Sequence, residues 1–328
     1  MPELPEVETV RRGLEQTIVG KTVASVEVRM SKLFSDDRAL INQVFIGQRV
    51  SGVERRAKIL LVELANGWTL AIHLKMTGQL LVRSEKLEAR SLNAGFPHFS
   101  PLTSRSGFVG GHPEKAYEQD LPHKHTHVII TFTDPTSPVG YAGAGGTVLY
   151  FNDLRKFGWM RLFPSEKREV RSEKCRPTLA EFLEGLHHGP EPLGADFTLS
   201  YFQQFLKTQK TPIKTLLLDQ SFIAGIGNIY ADEALFAAAI KPTRRADSLK
   251  QTESAQLRLS IKQVLQLGIE HGGTSFNSYR NVQGTAGKMR EHLKVYGREG
   301  QPCVRCGQII VRKKIGQRSA HFCPNCQS

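Results

Sequence analysis

Residues 216–236 read LLLDQSFIAGIGNIYADEALF, and this stretch sets the architecture of the second half of the chain. Gly225 and Gly227 form a tight turn, because glycine adopts backbone angles that other residues avoid. Asn228 follows them as an N-cap for a helix spanning 229–239. Amides exposed at a helix start attract phosphate, and glycine lets the backbone come close to it. Lys207, Lys210, Lys214 and Lys241 favour that use of the turn, whereas an ordinary helix-turn-helix corner accounts for the glycines alone.

Outward from this turn, apolar residues recur at helical spacing. The expected helices are 179–187, 201–207, 212–218 and 252–271, and a charged stretch near 165–176 serves as a linker. The first half is different. PELPEVETVRRGLEQTIVG opens the chain, with Val7, Val10, Leu14 and Ile18 on one helical face. Pro5 suits a first turn and Gly20 a stop. From Lys21 to about Phe163 the pattern turns to strands. Runs at 59–64 and 69–74 flank Asn66-Gly67, a hairpin signal, and Val128, Ile130 and Phe132 alternate. The expectation is α+β: one helix at the edge of a β-sandwich, then a helical half. Residues 84–122 and 134–146 lack periodicity and read as surface loops or insertions.

The chain ends in Cys303-x2-Cys306, sixteen residues, and Cys323-x2-Cys326. That is the spacing of a four-thiolate tetrahedral site, with zinc the favoured ion and iron the chemical alternative. IIVRKKIGQRSAHF between the pairs reads as two strands turning near Gly316, a unit small enough to depend on its metal to fold. Arg312, Lys313, Lys314 and Arg318 suit a DNA-contacting hairpin. Cys175 stands apart as an ordinary thiol.

The 328 residues are 40% hydrophobic and 23% charged, the balance of a globular protein. The formal charge is +13 and the pI about 9.6. From 286 to 328 nine Lys or Arg stand against two acids, so more than half the excess sits in the tail. Such a balance points to a polyanionic partner, since counterion release drives binding to phosphates. No run approaches the ~18 apolar residues of a membrane span. Residues 1–20 mix acids and bases rather than forming an apolar leader, which makes the cytoplasm the expected location.

Removal of the initiator methionine, usual before proline, exposes the secondary amine of Pro2. With an α-amino pKa near 8, about a tenth is neutral at pH 7. Such an amine attacks an aldehyde-like carbon to give an iminium, an electron sink. Glu3 and Glu6, one turn apart, supply acid–base groups beside it. Acids at a helix start also favour the helix electrostatically, so spacing alone does not choose between the two roles.

Taken in order, PELPEVETVRRGL, RRAKILL, HLKMTGQL, KHTHV, NDLRKFG, the 216–236 stretch and VYGREGQPCVRCG…QRSAHFCPNC resemble bacterial formamidopyrimidine-DNA glycosylases along almost the whole chain. The resemblance implies an N-terminal helix and β-sandwich (1–163), a linker (164–177), a helix–two-turn–helix domain (178–293) and a zinc finger (294–328), with one structural zinc on Cys303, Cys306, Cys323 and Cys326. It implies a monomer that binds damaged duplex DNA without a nucleotide cofactor. Oxidised purines would be flipped out of the stack before chemistry. Pro2 then corresponds to the nucleophile, Glu3 to its acid–base partner and Glu6 to a supporting group. Lys58 corresponds to a lysine beside the lesion and Arg318 to the finger arginine that assists the second elimination. Met76, Arg155 and Phe157 correspond to the residues that enter the stack and face the orphaned base. His125, Lys210, Lys214 and Asn228 correspond to contacts with the DNA backbone. Residues 274–292 correspond to the loop that covers the lesion. A related endonuclease VIII type, acting on oxidised pyrimidines, and a non-catalytic damage-binding module on the same fold are the alternative readings.

Overall fold

The structure, a computed structural model, describes residues 2–84, 107–111, 121–133, 146–167, 176–274 and 288–328. These fall into two compact units. The first draws on residues 2, 6–185 and 272–274, the second on residues 3–5, 186–271 and 288–328. No helix among the described residues is long and apolar enough to cross a membrane.

Helix α1 (Leu4–Ile18), which belongs to the first unit from Glu6 onward, takes Pro5 in its first turn and is followed by Gly20, whose φ of 84° closes the turn that releases the chain into β1 (Thr22–Val28). A short α2 (Arg38–Val44) is capped by the Asp37 side chain, which accepts from Leu40 N. Strands β2 (Val50–Arg56), β3 (Ile59–Leu64), β4 (Trp68–His73) and β9 (Trp159–Pro164) build a four-stranded antiparallel sheet in that order. Strands β5 (Gly78–Ser84), β6 (Gly107–Gly111), β7 (Thr126–Thr133) and β8 (Thr147–Asp153) join β1 in a five-stranded sheet ordered β1-β7-β8-β5-β6. One core unites the inward residues of both sheets with one face of α1. Val7, Val10, Leu14 and Ile18 pack in the same cluster as Leu60, Val62, Ile72, Val128, Ile130 and Phe151. Alternation in the sequence and one shared core are what make this a sandwich.

Two features differ from the expectation. The 84–122 stretch is not loop throughout, because β6 pairs with β5 from Gln79↔Gly111 to Arg83↔Gly107. Its sequence, GFVGG, carries three glycines and so has no alternation to read. The helix expected at 179–187 to open the second domain is α3 (Leu179–Gly185), and it belongs to the sandwich unit. Phe182 holds it there, stacked 4.3 Å from Phe163 and edge-on to Trp159 at 5.8 Å. Arg176, just upstream, is ion-paired with the buried Asp36 of the same unit. The remainder of the 84–122 stretch up to residue 120, residues 134–145, Cys175 and most of the 274–292 stretch lie outside the described residues.

The second unit contains α4 (Leu199–Lys207), α5 (Ile213–Leu217), α6 (Asn228–Ala237), α7 (Gln251–Glu270) and the single turn α8 (Met289–His292), each within two residues of its expected bounds where one was predicted. Thr198 caps α4 by accepting from Tyr201 N. Phe202, Phe205 and Phe222 stack beneath it at 4.4–5.4 Å. The hairpin β10 (Val311–Ile315) and β11 (Arg318–Phe322) turns at Gly316, where φ is 57°.

Candidate active site and metal centre

In the second unit, Leu4 N donates to Gly225 O and so fastens the chain start to the two-glycine turn. The Glu3 carboxylate then accepts from Gly227 N at 2.8 Å, Ile229 N at 2.9 Å and Tyr230 N at 3.3 Å. These are amides that the first turn of α6 cannot satisfy itself, and the positive end of the helix favours the negative charge. The group is buried, 4% exposed. Gly227, not Asn228, is the cap residue. A Cβ there would stand 2.4 Å from the Glu3 carboxyl carbon, so the glycine is required by space. Gly225 is required by conformation, with φ at 84°.

The phosphate reading of this turn is thereby corrected. The amides form an anion site, as their chemistry dictates, but the anion they hold is the chain's own carboxylate. Asn228 is the first residue of α6 and half-buried; its Oδ1 has no hydrogen-bond partner among the described residues.

Lys214 needs a second correction as a DNA contact. It is 1% exposed, donates from Nζ to Asp232 Oδ1 at 2.5 Å and also donates to Ser319 O. Burial pulls its pKa below the ordinary lysine value, with Asp232 opposing that fall. The sequence placed it among exposed lysines, but on α5 it faces inward between Ile213 and Leu216. Lys210 lies in the preceding turn and is exposed.

In the first unit, Glu6 Oε1 accepts from Thr274 N at 2.6 Å and from Thr274 Oγ1 at 2.9 Å. Pro2 is buried. Lys58 is 6% exposed in the turn between β2 and β3, where Ala57 takes a φ of 53°.

The predicted DNA-contact loops of this unit converge on one residue that the sequence did not single out. Asp153, at the end of β8, is fully buried. Its Oδ1 accepts from Thr77 Oγ1 and from Arg155 N at 3.1 Å; its Oδ2 accepts from Phe157 N at 2.9 Å and Gly158 N at 2.7 Å. Its own N donates to His125 O, and His127 Nε2 bonds its carbonyl at 2.8 Å. One aspartate therefore pins the Met76 turn, the His125 segment and the Arg155–Phe157 loop. That loop turns through Lys156 at a φ of 58° and leaves Arg155 and Phe157 exposed, the guanidinium 5.0 Å over a ring that is 50% exposed. Met76 and His125 are half-buried. An exposed aromatic under a guanidinium on a fixed loop is a suitable wedge for stacked bases. Asp153 stands inside NDLRKFG, and only the positions of Arg155 and Phe157 in that motif suggested what it carries.

The metal centre is compact. The sulfurs of Cys303, Cys306, Cys323 and Cys326 all lie within 4.8 Å of one another. Cys303–Cys326 are 3.9 Å apart and Cys306–Cys323 3.5 Å. Tetrahedral zinc with bonds near 2.3 Å needs sulfurs about 3.8 Å apart, so the set fits. Arg305 N and Cys326 N donate to Cys303 and Cys323 sulfurs, as in metal knuckles. The finger is not free-standing. Phe236 of α6 packs with Val295, Ile310, Cys303 and Cys323, and Arg305 lies 4.2 Å over the Phe236 ring while donating to Phe236 O and Ala237 O. Glu233 accepts from the consecutive amides of Lys294, Val295 and Tyr296. Burial pushes its pKa up against those three bonds. Arg318, Lys313 and Lys314 remain exposed on the hairpin.

Three family models match the chain in order: the formamidopyrimidine-DNA glycosylase N-terminal domain over residues 1–160, its H2TH domain over 188–280, and a zinc finger found in FPG and IleRS over 300–328. Formamidopyrimidine-DNA glycosylases of Heliobacterium modesticaldum and Herpetosiphon aurantiacus are each 41% identical, with all of both chains covered. A Lactococcus lactis Fpg mutant in complex with Fapy-dG-containing DNA matches at a TM-score of 0.77 and 30% identity over 100% of both chains. The same organism's Fpg with abasic-site DNA matches at 0.76 over 99% of each. Fold and site together define a DNA-repair glycosylase carrying one structural zinc. The chain belongs to the formamidopyrimidine-DNA glycosylase family.

Proposed function

We propose that this chain is a bifunctional DNA glycosylase and AP lyase of base excision repair, which removes 8-oxoguanine and formamidopyrimidines from duplex DNA. The observation that carries the reading is the Glu3 carboxylate, buried on three amides of α6 and next in sequence to Pro2. A single acid placed by a helix start is a reagent with one position.

The Pro2 amine attacks C1′, the bond to the damaged base breaks, and Glu3 protonates the sugar oxygen as the ring opens to the iminium. Glu6 supports this network through Thr274. The iminium acidifies C2′; loss of that proton breaks the C3′–O bond, with Lys58 as a cationic acid–base group beside the lesion. A second elimination breaks the C5′–O bond, assisted by Arg318 at the phosphate, and leaves a one-nucleoside gap. Arg155, Phe157 and Met76 fill and face the space of the extruded base, while His125, Lys210 and Asn228 grip the backbone. Zinc shapes the finger and takes no part in bond breaking. The enzyme acts as a monomer in the bacterial cytoplasm, on damaged double-stranded DNA, and requires removal of Met1 to free the Pro2 amine.

Borohydride trapping on an 8-oxoguanine duplex tests the reading. A covalent adduct with the wild-type chain and none with Pro2→Gly is expected. Equal trapping by Pro2→Gly refutes the mechanism, and a preference for thymine glycol over 8-oxoguanine refutes the substrate class.

A further inference from the structure

The chemistry above gives no role to a buried carboxylate of the second unit that ties a helix to the finger hairpin. Asp232 on α6 is fully buried and uses both oxygens. One accepts from Lys214 Nζ of α5; the other accepts from His321 N at 2.9 Å and faces His321 Nδ1 at 3.1 Å. Lys214 also donates to Ser319 O, so it ties the same strand a second time. His321 continues outward to Glu299 at 3.4 Å and meets the Tyr296 ring edge-on at 4.9 Å.

The placement matters more than the ion pair. Asp232 lies one turn along the helix whose first amides hold Glu3, and the strand it grips begins at Arg318. The apolar contact between α6 and the finger, through Phe236, Val295 and Ile310, is non-directional and tolerates sliding. Hydrogen bonds to two backbone positions of β11 do not. A buried charge pair is also a poor source of stability, since apolar residues of similar volume often do as well or better, whereas its directional bonds fix one arrangement. Burial pulls the Lys214 pKa down, and Asp232, with a smaller contribution from Glu3, opposes that fall.

We infer that Asp232, with Lys214 and His321, is a positioning latch that sets the Arg318 hairpin against the helix holding Glu3, and that the second elimination depends on it. In that step a proton leaves C4′, its electron pair forms the C4′=C5′ bond, and the C5′–O pair departs with the phosphate that Arg318 faces. The inference rests on the role proposed for Arg318. The first elimination, centred on Pro2 and Lys58, does not require the latch.

The test uses the zinc-loaded full chain on a preformed abasic-site duplex and reads the ratio of δ- to β-elimination product. That ratio comes only from molecules that formed the Schiff base, so a partly unfolded preparation does not move it. Asp232→Asn and His321→Gln, each holding one zinc, are expected to lower the ratio by about tenfold, below the ~10²-fold that a full 1 Å displacement can cost. Arg258→Ala, which removes a hydrogen bond to Phe197 O elsewhere in the unit, is expected to lower stability and leave the ratio at the wild-type value. Wild-type ratios in both latch variants, while Arg318→Ala abolishes the δ product, overturn the latch. An unchanged ratio in Arg318→Ala overturns the role of Arg318 itself and removes the basis of the inference.

Discussion

Asp153 and Glu3 are both buried carboxylates that accept from at least three donors, yet they are used in opposite ways. Asp153 gathers four donors from two segments and leaves the exposed work to Arg155 and Phe157. Glu3 is itself the group being held, with the start of α6 as its holder. Under the proposed mechanism, the aspartate of the first unit is scaffold and its neighbours meet the partner, whereas in the second unit the backbone is scaffold and the carboxylate is the reagent. A buried, fully bonded acid therefore does not announce its role. What it positions does.

The largest effect on stability is expected at the scaffold. Asp153→Ala takes the acceptor from Thr77 Oγ1, Phe157 N and Gly158 N, while Arg155 N keeps Thr77 Oγ1; at about 1–3 kcal/mol for each buried unsatisfied group the loss should reach about 4 kcal/mol. Urea unfolding measures it, and a loss below about 1 kcal/mol would break the comparison. At the reagent the effect should fall on rate instead. Glu3→Gln should slow 8-oxoguanine excision about 10²-fold or more in single-turnover assays. Its stability cost should stay within about 2 kcal/mol, the upper range for a charge at a helix end. Excision within threefold of wild type would put Glu3 on the scaffold side.

Smaller effects sharpen the contrast. Thr274→Val removes one hydroxyl donor to Glu6 and leaves the amide, so a stability loss of about 1 kcal/mol is expected. Arg155→Ala should change stability by less than about 0.5 kcal/mol, because the side chain is exposed. Its expected signature is weaker binding to lesion duplex with unfolding unchanged. A large stability loss there would mean that the loop carries structural load of its own.

The fold was legible wherever periodicity carried information. Val7, Val10, Leu14 and Ile18 announced α1, Asn66-Gly67 announced the β3–β4 hairpin, and the cysteine spacing announced the metal centre. The glycine-rich β6 was not, because GFVGG has no alternation to show. The placement of α3 was not legible either, since the Phe163–Phe182 stack is a tertiary contact between segments that local pattern treats separately. At the site, residue types were readable but partners were not. Lys214 looked like one of several basic residues, and only the fold aims it inward at Asp232. The two glycines with the lysines around them pointed to a phosphate site, and nothing in local sequence said that an acid more than 220 residues away would occupy those amides.

The start of α6 holds Glu3, and Gly227→Ala tests that hold most directly. The backbone there is extended, with φ at −134°, so alanine is tolerated conformationally and acts only through its Cβ, 2.6 Å from Glu3 Oε1. The measurement is single-turnover excision of 8-oxoguanine alongside borohydride trapping on abasic DNA, with zinc content as the check on folding. Excision reduced about 10²-fold, with trapping on abasic DNA kept within a few-fold and one zinc retained, is the expected result. Excision at the wild-type rate would contradict it.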